Sequence, residues 1–161
     1  MAVHDIDIAV EDDRWSGSVP DLESCVARAV EAGLAAIPDG PDGPVEVSIL
    51  LADDATVQDL NKNWRGKDKP TNVLSFPAAP QPVPPGCPTP LGDVVLAYET
   101  MVRESAEQGK PLQNHLAHLL VHGILHLAGQ DHERGDTEAE AMEALEVAAL
   151  ATLGIPDPYF E

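Results

Sequence analysis

The sequence predicts an α+β domain: a small mixed β-sheet with helices packed around a central, buried, histidine-bearing helix. Three observations predict it. Four short β-type segments alternate with helical ones in the order β-α-β-α-β-β-α-α-α, which suits a sheet with helices laid on it. Within residues 112–128, Leu116, Leu119, Leu120, Val121, Ile124, Leu125 and Leu127 point in nearly every direction at about 100° per residue, and a helix apolar all round belongs in an interior. The chain has 161 residues and 43% hydrophobic content. That is enough to bury a core without disulfides and fits one domain over 1–161.

In order along the chain, VHDIDIAV (3–10) alternates apolar and polar residues and reads as a strand. Residues 20–37 open on Pro-Asp and continue with Leu22, Cys25, Val26, Ala29, Val30 and Leu34, a helical stripe that Pro38 stops. PDGPDGP (38–44) is a loop. VEVSILLA (45–52) reads as a strand, and DDATVQDLNKNW as a short helix opened by an acidic cap. TNVLSFPA (71–78) is a further strand. The stretch from Pro77 to Pro90 holds seven prolines and is expected to be an extended loop. GDVVLAYE (92–99) is another strand, and helices follow over roughly 98–108 and 111–128. Thr137 and Glu140 match a capping box. The apolar positions Ala141, Met142, Leu145, Ala149 and Leu150 then run to a stop at Gly154, with Pro156 behind it.

No apolar run approaches the roughly 18 residues that span a membrane, and MAVHDIDIAVEDD has neither the basic nor the apolar region of a signal peptide. Cys25 and Cys87 form no CxxC pair. Both are expected as free thiols in a reducing cytoplasm. The formal net charge of -19 argues against a general nucleic-acid binder, because phosphates are repelled. The distribution matters more. Four of the nine Lys and Arg residues fall within eight positions, Lys62, Arg65, Lys67 and Lys69.

The chemistry concentrates in HGILHLAGQDH (122–132). His115, His118, His122 and His126 are spaced 3, 4 and 4 apart and share one side of the helix. An i, i+4 pair of imidazoles suits one metal ion. Gly129 can adopt the left-handed conformation at a helix end and turn the chain back, which brings His132 over the same face. The H-x-x-x-H-x-x-G-x-x-H spacing is that of metzincin zinc sites. Three histidines with one position open describe a catalytic rather than a structural zinc site. The expected metal ligands are therefore His122, His126 and His132, in a zincin-like metal site holding one Zn²⁺, although imidazole ligands also suit Ni²⁺, Co²⁺ and Cu²⁺. Zincin proteases carry their general-base glutamate directly after the first histidine. Here that position is Gly123, which argues against a peptidase.

HGILHLAGQDH resembles the signature H-G-x-L-H-L-x-G-[YF]-D-H of the YbeY family of bacterial rRNA-maturation endoribonucleases. LNKNWRGKDKPTNVLSFP (60–77) and LGDVVLA (91–97) resemble that family's two other motifs, and the three appear in the expected order over roughly 45–155. The resemblance implies an α+β fold centred on the histidine helix, and Zn²⁺ bound by His122, His126 and His132. It implies a hydrolase that cleaves single-stranded RNA, matures the 3′ end of small-subunit rRNA and serves ribosome quality control. It also implies a cytoplasmic protein that meets the small ribosomal subunit, with neither DNA nor membrane as a partner. The family's important arginine corresponds to Arg65.

Two positions depart from the motifs: Asn72 stands where aspartate is usual, and Gln130 where an aromatic is usual. Asn72 puts an acid–base role at that position in doubt. If the 62–69 segment borders the metal, Arg65 can hold a phosphate bidentately, with Lys67 and Lys69 adding charge. The nucleophile stays open between a metal-activated water and the RNA 2′-hydroxyl, and no general base is assigned. Asp131 is a candidate partner for a ligand imidazole. His118, His115 and His4 are expected in structural or exposed roles, and Trp64 in core packing rather than base stacking. Two rivals remain. A zinc peptidase or amidase would not need the Arg65 cluster. A non-catalytic ribosome assembly factor with structural zinc would gain from a fourth ligand, Asp131 or His118.

Overall fold

The computed structural model describes residues 4–38, 43–69, 71–79, 81–129 and 136–159. Among them lie four strands, β1 (Asp5–Val10), β2 (Val45–Ala52), β3 (Val73–Pro77) and β4 (Thr89–Ala97). Six helices accompany them: α1 (Arg14–Ser18), α2 (Leu22–Ala36), α3 (Asp54–Arg65), α4 (Tyr98–Gln108), α5 (Leu112–Leu127) and α6 (Asp136–Thr152). The sheet order is β1-β2-β4-β3. β1 and β4 flank β2 in parallel, and β3 closes the edge antiparallel to β4. The sheet is therefore mixed and the fold α+β, as the element order predicts.

Alternation along β2 explains the two layers. Val45, Val47, Ile49 and Leu51 are buried on one face, where they join the main core with Val94, Leu96 and residues of α2, α5 and α6. Ala52, Leu74 and Val95 belong to a smaller apolar cluster with Val57 of α3, and Leu50, Leu60 and Phe76 pack against it. The histidine-bearing α5 runs through the middle: it packs on α2, α4 and α6 and on strands β3 and β4. Ten of its sixteen residues are buried, as its all-round apolar pattern predicts. Among the described residues no helix is long and apolar enough to cross a membrane. Cys25 and Cys87 are free thiols.

Several boundaries differ from the sequence reading. α1 is an additional element. Its five residues, RWSGS, are too few to show a period. It is anchored by Trp15, fully buried, whose indole N–H donates to the Ala52 carbonyl at 2.9 Å. The proline-rich loop ends earlier than expected, because β4 already begins at Thr89 and includes Pro90. Proline is tolerated there at the first residues of a strand, where the register of β2 and β4 shifts. Tyr98 and Glu99 belong to α4 rather than to the preceding strand. α6 begins at Asp136, so Thr137 lies inside its first turn and does not cap it.

Candidate functional site

α3 and its exit loop position the cationic residues. Asp53 caps the helix by accepting a hydrogen bond from the Thr56 N–H at 2.8 Å, the acidic cap anticipated from sequence. The helix continues through Arg65 and ends at Gly66 in the left-handed conformation. Buried Asn61 donates its side-chain amide to the Lys69 carbonyl at 2.9 Å, and the Lys67 N–H donates to the Asn61 carbonyl at 3.2 Å. One side chain thus ties the loop back onto the helix. Of the four cations, only Arg65 lines the central cleft. Lys62 approaches Asp68 at 3.9 Å, with both side chains 61% exposed, and Lys67 and Lys69 are exposed on the loop.

The cleft measures about 590 Å³ and is walled by Trp64, Arg65, Asn72, Phe76, His122 and His126 among others, and no described residue of the wall is acidic. No carboxylate among the described residues pairs with the Arg65 guanidinium. The two imidazoles sit on successive turns of α5, with ring centroids 4.8 Å apart. Trp64 overturns the core expectation: it is 75% exposed, because it lies on the last turn of α3, where the helix overhangs the cleft instead of the core. Ser75, also in the cleft wall, donates to the Gly123 carbonyl at 3.4 Å and joins β3 to α5.

Gly123 explains the missing protease base. A Cβ built there would lie 2.9 Å from Val94 Cγ1 and 3.2 Å from Ser75 Oγ. The position presses against the sheet, so a glutamate there has no room. At the other end of the motif, Gly129 has φ of 94° and its N–H donates to the His126 carbonyl at 3.0 Å. The predicted left-handed turn is therefore present. His132, Asp131 and Gln130, which follow it, lie outside the described residues. Among the described residues no group of three metal-binding side chains forms. What is present fits a metal: two imidazoles share a cleft wall, a turn follows them, and a carboxylate holds one ring from behind.

That carboxylate is Glu146 of α6, 1% exposed. Its Oε2 lies 3.3 Å from His122 Nδ1 and its Oε1 lies 2.6 Å from His118 Nε2. The Tyr159 hydroxyl donates to Oε1 at 2.7 Å. Burial raises the carboxyl, but the hydrogen bonds from His118, His122 and Tyr159 outweigh it and hold it at about 2. His118 thus turns toward Glu146 and Tyr159 and does not line the cleft. A second network lies one turn earlier. Buried His115 places Nε2 at 2.9 Å from Glu104 Oε1, and Asn72 Nδ2 donates to the same carboxylate at 3.0 and 3.3 Å. Burial lowers His115 despite that carboxylate. His4 accepts from the Val45 N–H at 3.1 Å, a structural role.

Glu146, Glu104 and Tyr159 carried no expectation from the sequence. For Glu146 a signal exists: with Met142, Ala149 and Leu150 it forms the buried face of α6, and a carboxylate on an apolar stripe requires partners. Glu104 and Tyr159 have no comparable signature.

The profile of the family described as Endoribonuclease YbeY matches residues 7–154. The chain is 56% identical over 150 residues to the Endoribonuclease YbeY of Paramagnetospirillum magneticum, an alignment covering 91% of this chain and 90% of that one. It is 52% identical over 156 residues to the Endoribonuclease YbeY of Rhodopseudomonas palustris, covering 95% and 90%. The solution structure of a Thermotoga maritima protein superposes with a TM-score of 0.53 at 25% identity, over 92% of this chain and 91% of that one. Profile and relatives agree over nearly the whole chain, which belongs to the YbeY endoribonuclease family.

Proposed function

We propose that the chain is a zinc-dependent endoribonuclease that cuts single-stranded RNA, and that its natural target is the 3′ end of small-subunit rRNA during ribosome assembly and quality control. The observation that carries this reading is one cleft lined by Arg65 together with His122 and His126. The relatives bear the name endoribonuclease, and the cleft combines what phosphodiester cleavage in RNA needs. His122, His126 and His132 would hold one Zn²⁺. When bound, that ion supplies Lewis-acid stabilisation of charge on a phosphoryl oxygen and makes water more acidic. Arg65 grips a non-bridging phosphate oxygen pair through its planar fork. Lys67 and Lys69 add positive charge at the rim. Trp64 offers an exposed ring on which an unpaired base can stack. A base already paired in a duplex is not available to that ring, which favours single strands.

The test is cleavage of a short single-stranded RNA by four folded samples: metal-loaded wild type, the chelated protein, His126→Ala and Arg65→Ala. Cleavage is expected in the first, lost in the chelated and His126→Ala samples, and slowed by about a hundredfold or more in Arg65→Ala. Equal cleavage in all four overturns the assignment. No cleavage in any, with one tightly held zinc per chain, transfers the reading to a non-catalytic ribosome assembly factor. The product ends identify the nucleophile: a 2′,3′-cyclic phosphate marks attack by the 2′-hydroxyl, and a linear phosphate marks attack by water.

A further inference from the structure

We propose that Glu146 and Tyr159 are positioning residues for the metal site. Tyr159 fixes Glu146, and Glu146 fixes the ring orientation and tautomer of His122. The inference rests on the reading of His122 as a metal ligand. The geometry supplies the steps. Glu146 Oε2 faces Nδ1 of His122 at 3.3 Å, so a carboxylate that only accepts selects the tautomer with the proton on Nδ1. Nε2, on the far side of the ring from Glu146, then carries the lone pair that a metal requires. The other oxygen, Oε1, receives His118 Nε2 at 2.6 Å and the Tyr159 hydroxyl at 2.7 Å. Both oxygens are therefore occupied and the carboxylate cannot rotate. The side chain of Glu146 is 1% exposed, so water does not substitute for these partners. Tyr159 belongs to the segment after α6, which Lys110 holds by donating to the Pro158 carbonyl at 2.9 Å. The segment after α6 is thereby connected to the cleft through two hydrogen bonds, Tyr159 to Glu146 and His122 to Glu146.

The arrangement predicts the outcome of a near-isosteric change. Glutamine at position 146 keeps one acceptor oxygen and replaces the other by a donor. Either His118 or His122 then faces an N–H and must lose its own proton on that nitrogen. Glu146→Gln is expected to bind Zn²⁺ about 10- to 100-fold more weakly in chelator competition. Tyr159→Phe, a change at a residue 45% exposed, is expected to weaken binding on the order of threefold by freeing the carboxylate. Histidine nitrogen shifts of the metal-free, unsubstituted protein should show His122 protonated at Nδ1, with that preference lost in Glu146→Gln. Folded Glu146→Gln that binds Zn²⁺ within twofold of wild type and keeps the His122 tautomer overturns the proposal. Should Glu146→Gln not fold, His122 found protonated at Nε2 in the unsubstituted protein overturns it equally. A wild type that binds no Zn²⁺ defeats the functional reading instead, and the tautomer still decides the role of Glu146.

Discussion

At position 72 an amide stands where the resembled motif has a carboxylate, and its surroundings give the reason. Asn72 donates to both oxygens of Glu104, whose carboxylate also receives the buried His115 imidazole. Aspartate at 72 would set two carboxylates against each other. Asn72→Asp is therefore expected to destabilise the fold by about 1–3 kcal/mol at pH 7. Like charges raise the folded pKa of one member above its unfolded value, so this loss should fade as the pH falls through that raised value and be gone by about 4, once the pair has taken up a proton. Urea denaturation at pH 7 and pH 4 measures both; an equal loss at the two values contradicts the charge account. His115 gives the opposite pH trend. Burial places its folded pKa below the ordinary 6.5, so below that pH the unfolded chain binds a proton that the folded chain resists. Stability supplied by neutral His115 is thus present above about 6.5 and declines on acidification, with a slope of at most about 1.4 kcal/mol per pH unit. In metal-free protein, His115→Gln should flatten the change in denaturation midpoint between pH 7.5 and 5.5. An unchanged slope would place the titration elsewhere.

Among the elements, α5 decides where the chemistry sits, and Gly123 decides how close α5 comes to the sheet. With a Cβ at this position 2.9 Å from Val94 Cγ1, and valine too short to swing aside, Gly123→Ala must displace the helix. A loss of about 1–3 kcal/mol is expected, together with weaker zinc binding, because His122 is its chain neighbour. Gly123→Glu is expected to fail to fold rather than to create a peptidase. Thermal melting of Gly123→Ala decides the first point: a melting temperature equal to wild type would show that the contact relaxes freely. This element was legible in the sequence because it is apolar on every side and still carries imidazoles at i, i+4. The alternation of β2 and the Asp53 cap of α3 were legible for equally local reasons. α1 was not, since five residues around a glycine carry no period and Trp15 is held by a carbonyl 37 positions away. Trp64 was misread because burial is the usual fate of tryptophan, while its exposure follows from where α3 ends relative to the cleft. The His122–His126 pair was visible as spacing. Its support was not: the carboxylate on the apolar stripe of α6 signals that Glu146 needs partners, but not that they are His118 and His122 of another helix and Tyr159 of the segment beyond.

For the molecule as a whole, charge sets how RNA can be held. A chain of net charge -19 repels phosphates over most of its surface, yet among the described residues the cleft wall contains Arg65 and no acidic side chain. Lys62 is drawn toward Asp68 and Arg65 lines the cleft; if exposed Lys67 and Lys69 of the adjoining loop also reach the strand, three cations meet its phosphates. Each phosphate neutralised on a single strand contributes about 0.7 to the slope of log affinity against log salt. Three contacts give a slope of about 2, small for a nucleic-acid enzyme. Arg65→Ala should lower the slope by about 0.7 as well as weakening binding, whereas removal of a stacking ring in Trp64→Ala should weaken binding and leave the slope unchanged. Titration of a fluorescent single-stranded RNA between 50 and 300 mM salt, with zinc held saturating, separates the two effects. The same acidity predicts discrimination by strand number. A duplex presents a charge every 1.7 Å or so of axis and cannot lay its backbone on three cations without bringing other phosphates over the acidic flanks. A single strand can follow the cleft and turn away. Duplex of the same length is expected to bind at least tenfold more weakly at 100 mM salt, with the gap widening as salt falls and screening weakens. A gap that narrows at low salt would mean that the acidic surface does not face the strand, and the cleft would then lose its role as the docking groove.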